Sequence, residues 1–379
     1  MLPLEGITVV ALEQAVAAPF ATRQLADLGA RVIKVERAGS GDFARGYDET
    51  VNGMSSYFVW LNRGKESVTL DIKDETDRRI LDSMLAEADV FVQNLLPGAT
   101  QRLGLGDEVL RNRYPRLITC SISGYGPDGP YESKKAYDLL VQCEAGLLSV
   151  TGLPEAPVKV GISVADIAAG MYAYSGVLTA LYERERTGVG TSLEVSMLDA
   201  LGEWMSQPYF FAHYGGTPPP RVGARHASIA PYGPYQVGDG AQVFIGIQNE
   251  REWAVLCTEV LGQPLLADDP RFAGNPRRVV NNDALTPLIE AALAGFTAEE
   301  VAARLDEVGL ANARMRTMHE FGQHPQLQAR DRWREVESPV GPVRSLLPPV
   351  TVAGREAAMR PIPDLGQHTT AIRAEFGSD

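Results

Sequence analysis

The chain has 379 residues, 45% of them hydrophobic and 22% charged, which is material for two or three domain-sized units and too apolar for wholesale disorder. A formal net charge of −13 argues against general nucleic-acid binding, because only local groups of Lys and Arg offset the repulsion from phosphate. Three scattered cysteines, Cys120, Cys143 and Cys257, support neither a disulfide framework nor a zinc site and fit a reduced, cytoplasmic compartment. The opening MLPLEGITVVALEQ lacks the features of a secretory signal, and runs such as ITVVAL are too short to span a bilayer.

Along the first third, β-branched runs alternate with helical patterns. Strands are predicted at Ile7–Leu12, Arg31–Glu36, Ser67–Ile72, Asp89–Leu95 and Leu117–Ser123, with helices such as Thr22–Leu28 and Glu75–Ala88 between them. This alternation predicts an α/β fold whose parallel, Rossmann-like sheet is covered by helices on both faces, with ligands at the carboxyl ends of the strands. No GxGxxG follows the first strand, so a nicotinamide site is unsupported. A long helix over Val164–Thr187, stopped by Gly188, leads to a strand at Ser192–Val195 and a helix from Met197. The run Tyr214–Pro220 cannot hold a regular element and marks a boundary. The predicted organisation is a large domain over 1–215, a linker over 216–231, a smaller α+β domain over 232–318, and a tail over 319–379 that returns to the large domain. Within the small domain a strand is expected at Gln242–Ile247, a helix at Asn249–Leu261, and a capping box at Thr297–Glu300. The tail carries a strand-like Val350–Val352.

Asp166, in Val160-Gly-Ile-Ser-Val-Ala-Asp166, stands among small apolar residues at a helix start. Burial raises a carboxylate's pKa and helix N–H groups lower it, a combination that suits a nucleophile that is desolvated yet ionised. The same residues, Ser163 to Asp166, also fit a capping box in which the carboxylate only satisfies backbone donors. The glycine-rich loop Ser123–Pro130 is either a ligand-approaching backbone or an ordinary turn. Lys134, Lys135 and Tyr137 follow it. Lys73, Asn94 and Arg102, also near strand ends, would make a phosphate- and amide-recognising rim. Arg225 and His226 are candidates to hold an acidic small substrate, while Asn249 reads as a helix cap. The five histidines show no metal spacing, and neither a GxSxG elbow nor a P-loop occurs.

Several segments in order, namely Gly6–Val10, Ala18-Pro19, Leu28–Glu36, Gly39–Asp42, Leu61–Lys65, Leu70–Lys73, Asn94, Pro97-Gly98 and the Gly124-Tyr-Gly loop, resemble those of the class III CoA-transferases, a family that includes acyl-CoA racemases. The resemblance covers essentially the whole chain. It implies that Asp166 is the nucleophile, forming acyl-anhydride and aspartyl-CoA thioester intermediates with no metal or redox cofactor. Coenzyme A, as substrate, would then contact Val16 and Ala17, Arg37 and Ala38, Leu70 and Lys73, Asn94 and Arg102, and Lys135 and Tyr137. Family members often place an arginine where this chain has Ala38, with Arg37 as its possible substitute. Gln14 and Arg45 join Arg225 and His226 as candidates for binding substrate. Racemases of the family carry a histidine where this chain has Tyr137, and a phenol is a poor base near neutrality, so transfer is expected over racemisation. The resemblance also implies an interlocked homodimer with no nucleic-acid or membrane partner. In the Arg225–Tyr235 and Ile247–Trp253 segments the chain looks most like members that move CoA from succinyl-CoA to itaconate, mesaconate or citramalate.

Overall fold

The structure, a computed structural model, describes residues 1–377. Six parallel strands form the main sheet: β1 (Thr8–Leu12), β2 (Arg31–Glu36), β3 (Lys65–Thr69), β4 (Val90–Gln93), β5 (Ile118–Ser123) and β6 (Ser192–Ser196). Their order is β3-β2-β1-β4-β5-β6, so the chain reverses its direction of travel between β1 and β4. A crevice opens at the carboxyl ends of the strands at such a reversal.

The strands are nearly continuous runs of apolar residues because both faces are covered. Val9, Val32, Val90 and Ile118 pack into one cluster with the helix Ala17–Asp27 and the helix Val164–Thr187. Their neighbours Val10, Ile33 and Phe91 point the other way, onto Ile80, Leu81, Met84 and Leu85 of the helix Glu75–Glu87. Ile372 and Phe376 of the last helix, Thr369–Phe376, complete that second face. Just before it, the backbone of His368 donates to Ser67 O, and the Ser67 N–H donates to His368 Nδ1, so the tail shields the β3 edge.

The chain folds into two compact units. The larger comprises residues 1–147, 160–207 and 327–379, and the smaller 148–159 and 208–326. The hairpin of Gly152-Leu153 and Ala156-Pro157, within the stretch 1–215 read as large domain, therefore belongs to the smaller unit. Arg221 donates to the carbonyls of Leu153 and Pro154, which ties the hairpin there. The boundary itself falls inside the helix Ser206–Gly215 rather than after it. In the smaller unit the strands Ala311–Ala313, Gln242–Gly246 and Tyr232–Gln236 form an antiparallel sheet around a core that contains Trp253, Phe272 and Leu305. The Thr297 capping box forms, and Asn249 caps its helix by accepting from the Glu252 N–H.

Two predicted strands need correction. The third begins at Lys65 and ends at Thr69 rather than running from Ser67 to Ile72, because Lys65 is buried in an ion pair with Glu13 and the half-buried Glu66 pairs with Arg31. Val350–Val352 is not a strand. Pro348 and Pro349 precede it, and the tail's hairpin is instead Trp333–Val336 with Val343–Leu346. The helix Val164–Thr187 is long and apolar enough to cross a membrane by length and composition, contrary to the reading of short apolar runs. Here its small residues Ala165, Ala168, Ala169, Gly170 and Ala173 are buried in the sheet-facing core.

Candidate active site

A cavity of about 1500 Å³ opens within the larger unit at the carboxyl ends of the strands. This exceeds the few hundred to about 1,000 Å³ of a typical small-ligand pocket, as a long ligand requires. Asp166 lines it, as do Gln14, Val16, Ala17, Arg37, Ala38, Leu70, Lys73, Asn94, Arg102, Lys135 and Tyr137. Residues from five strand ends thus meet in one place.

The β1 end is the most constrained. Ala15 has φ of 60°, a left-handed conformation that costs a residue with a Cβ about 1–2 kcal/mol. The surroundings hold it there. The Gln14 N–H donates to Asn94 Oδ1 at 2.8 Å and Asn94 Nδ2 donates to Gln14 O at 2.9 Å, so the Asn94 amide is used on the loop backbone. From the other side the Ala15 N–H donates to Asp42 Oδ1 at 3.0 Å. Asp42 is fixed in turn by Lys34 Nζ at 2.8 Å.

Beneath the loop lies a buried ionic network. Glu13 accepts from Lys65 at 2.6 Å, from Lys34 at 3.2 Å and from the Thr22 hydroxyl at 2.6 Å, with both lysines and the glutamate wholly inaccessible. Burial opposes ionisation of Glu13, but the two ammonium groups override it and hold its carboxyl below the usual range. Arg45, expected to bind substrate, instead forms a two-point pair with Glu36 at 2.8 Å and stacks 3.6 Å above Phe58. It does not line the cavity. A carboxylate as buried as Glu36 needs that partner, and with it, despite the burial, its carboxyl falls to about 2.

The expected capping box at Asp166 does not form: the Ser163 side chain makes no cap hydrogen bond. The Ala165 N–H donates instead to Asp138 Oδ1 at 2.8 Å. The N–H of Ala17, at the start of another helix, bears on Asp166 and favours its charged form. Desolvation above all, with the like charge of Asp138, raises the Asp166 carboxyl to about 7 in spite of that donor. The helix terminus therefore does not keep it at an ordinary carboxylate value, as the sequence suggested. Nearby, burial first, then the charges of Asp42 and Asp166 and the phenols of Tyr137 and Tyr57, push the Tyr47 phenol up to about 12, so it is a proton donor at neutral pH.

Close approach of two helices sets the Ala17–Asp166 contact. A Cβ on Gly170 would lie 2.7 Å from Ala17 O and 3.0 Å from Phe20 Cδ1. A Gly170→Val variant is therefore expected to push Ala17 away and to cost about 1–3 kcal/mol of stability. Thermal unfolding and the rate of turnover both read this out.

The lysine pair divides its work. Lys134 sits 3.9 Å from the Tyr131 ring centre and pairs with Glu144, so it pins the glycine-rich loop. At the loop's neck a Cβ on Gly124 would lie 2.1 Å from Ala136 Cβ, so only glycine fits there. Arg37, Lys73, Arg102 and Lys135 have no ion-pair partner among the described residues. Four such cations lining one cavity suit phosphate groups on an otherwise acidic protein. Arg225 and His226 lie in the smaller unit, where His226 stacks on Tyr232 at 5.2 Å and accepts from the Ser228 N–H; neither lines this cavity.

Sequence reasoning missed Tyr47, Tyr57 and Asp138 as cavity residues, and it quoted Asp42 and Lys65 only as parts of longer segments. Their importance comes from partners distant in sequence.

The sequence matches the profile of CoA-transferase family III over residues 4–369. This chain belongs to CoA-transferase family III. It is 37% identical to the acetyl-CoA:oxalate CoA-transferase of Acetobacter aceti, over 99% of this chain and 96% of that one. Identity to the human succinyl-CoA:glutarate CoA-transferase is 34%, over 98% and 86%. Among solved structures, a CaiB/BaiF family protein from Brucella suis superposes with a TM-score of 0.87 at 34% identity, covering 99% of both chains. As a family III CoA-transferase the protein is an enzyme that acts on CoA thioesters, and the cation-lined cavity lies where the parallel sheet reverses.

Proposed function

We propose that Asp166 exchanges CoA between an acyl-CoA donor, succinyl-CoA or another dicarboxylyl-CoA, and a small dicarboxylate acceptor such as itaconate, mesaconate or citramalate. The observation that carries the mechanism is a desolvated carboxylate lining the same cavity as Arg37, Lys73, Arg102 and Lys135. Relatives that transfer CoA to oxalate, glutarate, mesaconate and D-citramalate support the acceptor class.

In this reading an Asp166 oxygen attacks the donor's thioester carbonyl, the C–S bond breaks, and CoA leaves as thiolate. The thiolate attacks the Asp166 carbonyl of the mixed anhydride, breaking its C–O bond and freeing the donor acid. An acceptor carboxylate then displaces CoA from the Asp166 thioester, and the returning thiolate attacks the acceptor carbonyl of the new anhydride, regenerating Asp166. No proton is gained or lost. The Ala17 N–H, which favours charge on Asp166, would stabilise the oxyanion in the two tetrahedral intermediates centred on the Asp166 carbonyl carbon.

The residues at the strand ends hold the CoA portion, with Arg37, beside Ala38, supplying a cation on that wall. Lys135→Ala is expected to raise KM for acyl-CoA roughly tenfold with kcat little changed, as loss of one charge-assisted contact should. Steady-state kinetics check it. The working form is proposed to be a cytoplasmic, interlocked homodimer, in which Arg225 and His226 reach a substrate.

Incubation with succinyl-CoA followed by hydroxylamine or borohydride trapping and peptide mass analysis tests the mechanism. Modification of Asp166 is expected, and modification elsewhere would overturn it. A panel of free acids tests the acceptor class, which fails if only monocarboxylates are taken.

A further inference from the structure

We infer that Asp138 is a positioning residue for Asp166: it fixes the first turn of the helix that carries the nucleophile and occupies a backbone donor on which that nucleophile would otherwise rest. The inference builds on the reading of Asp166 given above.

A carboxylate in the first turn of a helix ordinarily folds back on that turn's free N–H groups, which stabilise its charge and blunt it. Here the Ala165 N–H is taken by Asp138 Oδ1 at 2.8 Å. The other oxygen of Asp138 accepts from Gln142 Nε2 at 2.6 Å, and Gln142 Oε1 accepts from the Val160 N–H at 3.1 Å. Gln142 is fully buried, so its amide orientation is determined by these two partners. The chain Val160–Gln142–Asp138–Ala165 thus ties both the approach to the long helix and its first turn to the helix Asp138–Glu144. Asp166 is left lining the cavity, with the Ala17 N–H favouring its charged form.

The groups that bear on Asp166 are the Asp138 carboxylate from one side, the Tyr47 phenol after the short helix Phe43–Gly46, and the Ala17 N–H. Asp138 therefore acts twice: its hydrogen bonds set where Asp166 sits, and its charge sets how readily Asp166 gives up its proton.

The network has a direction that mutation can reverse. In Asp138→Asn the new Nδ2 faces Gln142 Nε2, donor against donor, and Gln142 cannot turn without losing Val160. The double variant Asp138→Asn with Gln142→Glu restores every bond with the negative charge moved to position 142. Asp138→Asn is expected to lower kcat about 10- to 100-fold, the scale of a sub-ångström to ångström misplacement of a nucleophile. KM for acyl-CoA should stay within about twofold, and the low-pH limb of kcat/KM should move to lower pH because a like charge is gone. The double variant should regain most of kcat.

A native kcat and native limb in Asp138→Asn would overturn the inference, as would a double variant no more active than the single one. Should Asp138→Asn fail to fold, the double variant decides alone: near-native kcat with a shifted limb supports the proposal, and an unshifted limb refutes it. An Asp166→Asn control separates the two levels. If that control retains transfer, the nucleophile assignment fails; if it is inactive while Asp138→Asn is native-like, only the role of Asp138 fails.

Discussion

Asp166→Asn is expected to lose CoA transfer by at least about 10³-fold, the scale seen when a covalent nucleophile is removed, while unfolding at a higher temperature than the native protein at about pH 8. The two effects have one cause. The carboxyl of Asp166 stands near 7 in the folded protein against an ordinary value of 3.8, so the folded state holds the proton more tightly than the unfolded chain. Ionised Asp166 therefore costs stability. The cost is absent below about pH 4, grows as pH rises towards 7, and is complete above it. The asparagine never bears it, so its advantage, roughly 2–4 °C in an unfolding scan, should vanish near pH 4. Activity runs the other way. Only the carboxylate attacks, so native kcat/KM should climb about tenfold per pH unit below 7 and level off above. Equal stability of the two proteins at both pH values would mean that the desolvation is not felt.

Glu13→Gln is expected to cost about 3–5 kcal/mol, the largest stability loss of any single substitution considered, because it removes the carboxylate that pairs with two buried lysines, Lys34 and Lys65, the second already pulled down to about 7 by burial. Among the described residues Lys65 has no other carboxylate partner, and Lys34 would keep Asp42. Urea titration and thermal unfolding measure the loss. Joint replacement of Glu13 and Lys65 by methionine should recover most of it, since a well-packed apolar pair often equals a buried ion pair. The recovery separates the penalty of an unpaired charge from any need for these side chains in themselves. The same network gives the acid limit of the fold. The carboxyls of Glu13 and Glu36 are both lowered, Glu36 to about 2, so their contribution is fully present above the ordinary value of 4.5. It fades as pH falls from about 5 towards 2.

Neither effect was visible in the linear sequence, although all the residues were. Lys65, Glu66 and Ser67 open a strand that periodicity places two residues later, because two charged side chains read as loop. Only the arrival of Glu13 from β1 allows Lys65 inside. Asn94 was legible as a polar group at a strand end, but its task of clamping the Gln14 backbone depends on β4 lying beside β1, which their positions in sequence do not announce. Arg45 shows the opposite failure. It was a substrate-binding candidate in the sequence, and in the fold it pairs with a buried carboxylate nine residues earlier.

By itself the sequence determined the strand and helix alternation, the parallel sheet it implies, the long helix from Val164 to Thr187, and the prominence of Asp166. These rest on local periodicity, capping and ordered motifs, which are properties of neighbouring residues. Tertiary structure alone decided what Asp166 is chemically. Its neighbours in sequence allowed either a desolvated, ionised nucleophile or a capping residue; in space, burial and the charge of Asp138, 28 residues away, raise its carboxyl to about 7 against the N–H of Ala17, 149 residues away. A pKa depends on burial and on charges brought together by the fold, and no pattern along the chain encodes those distances.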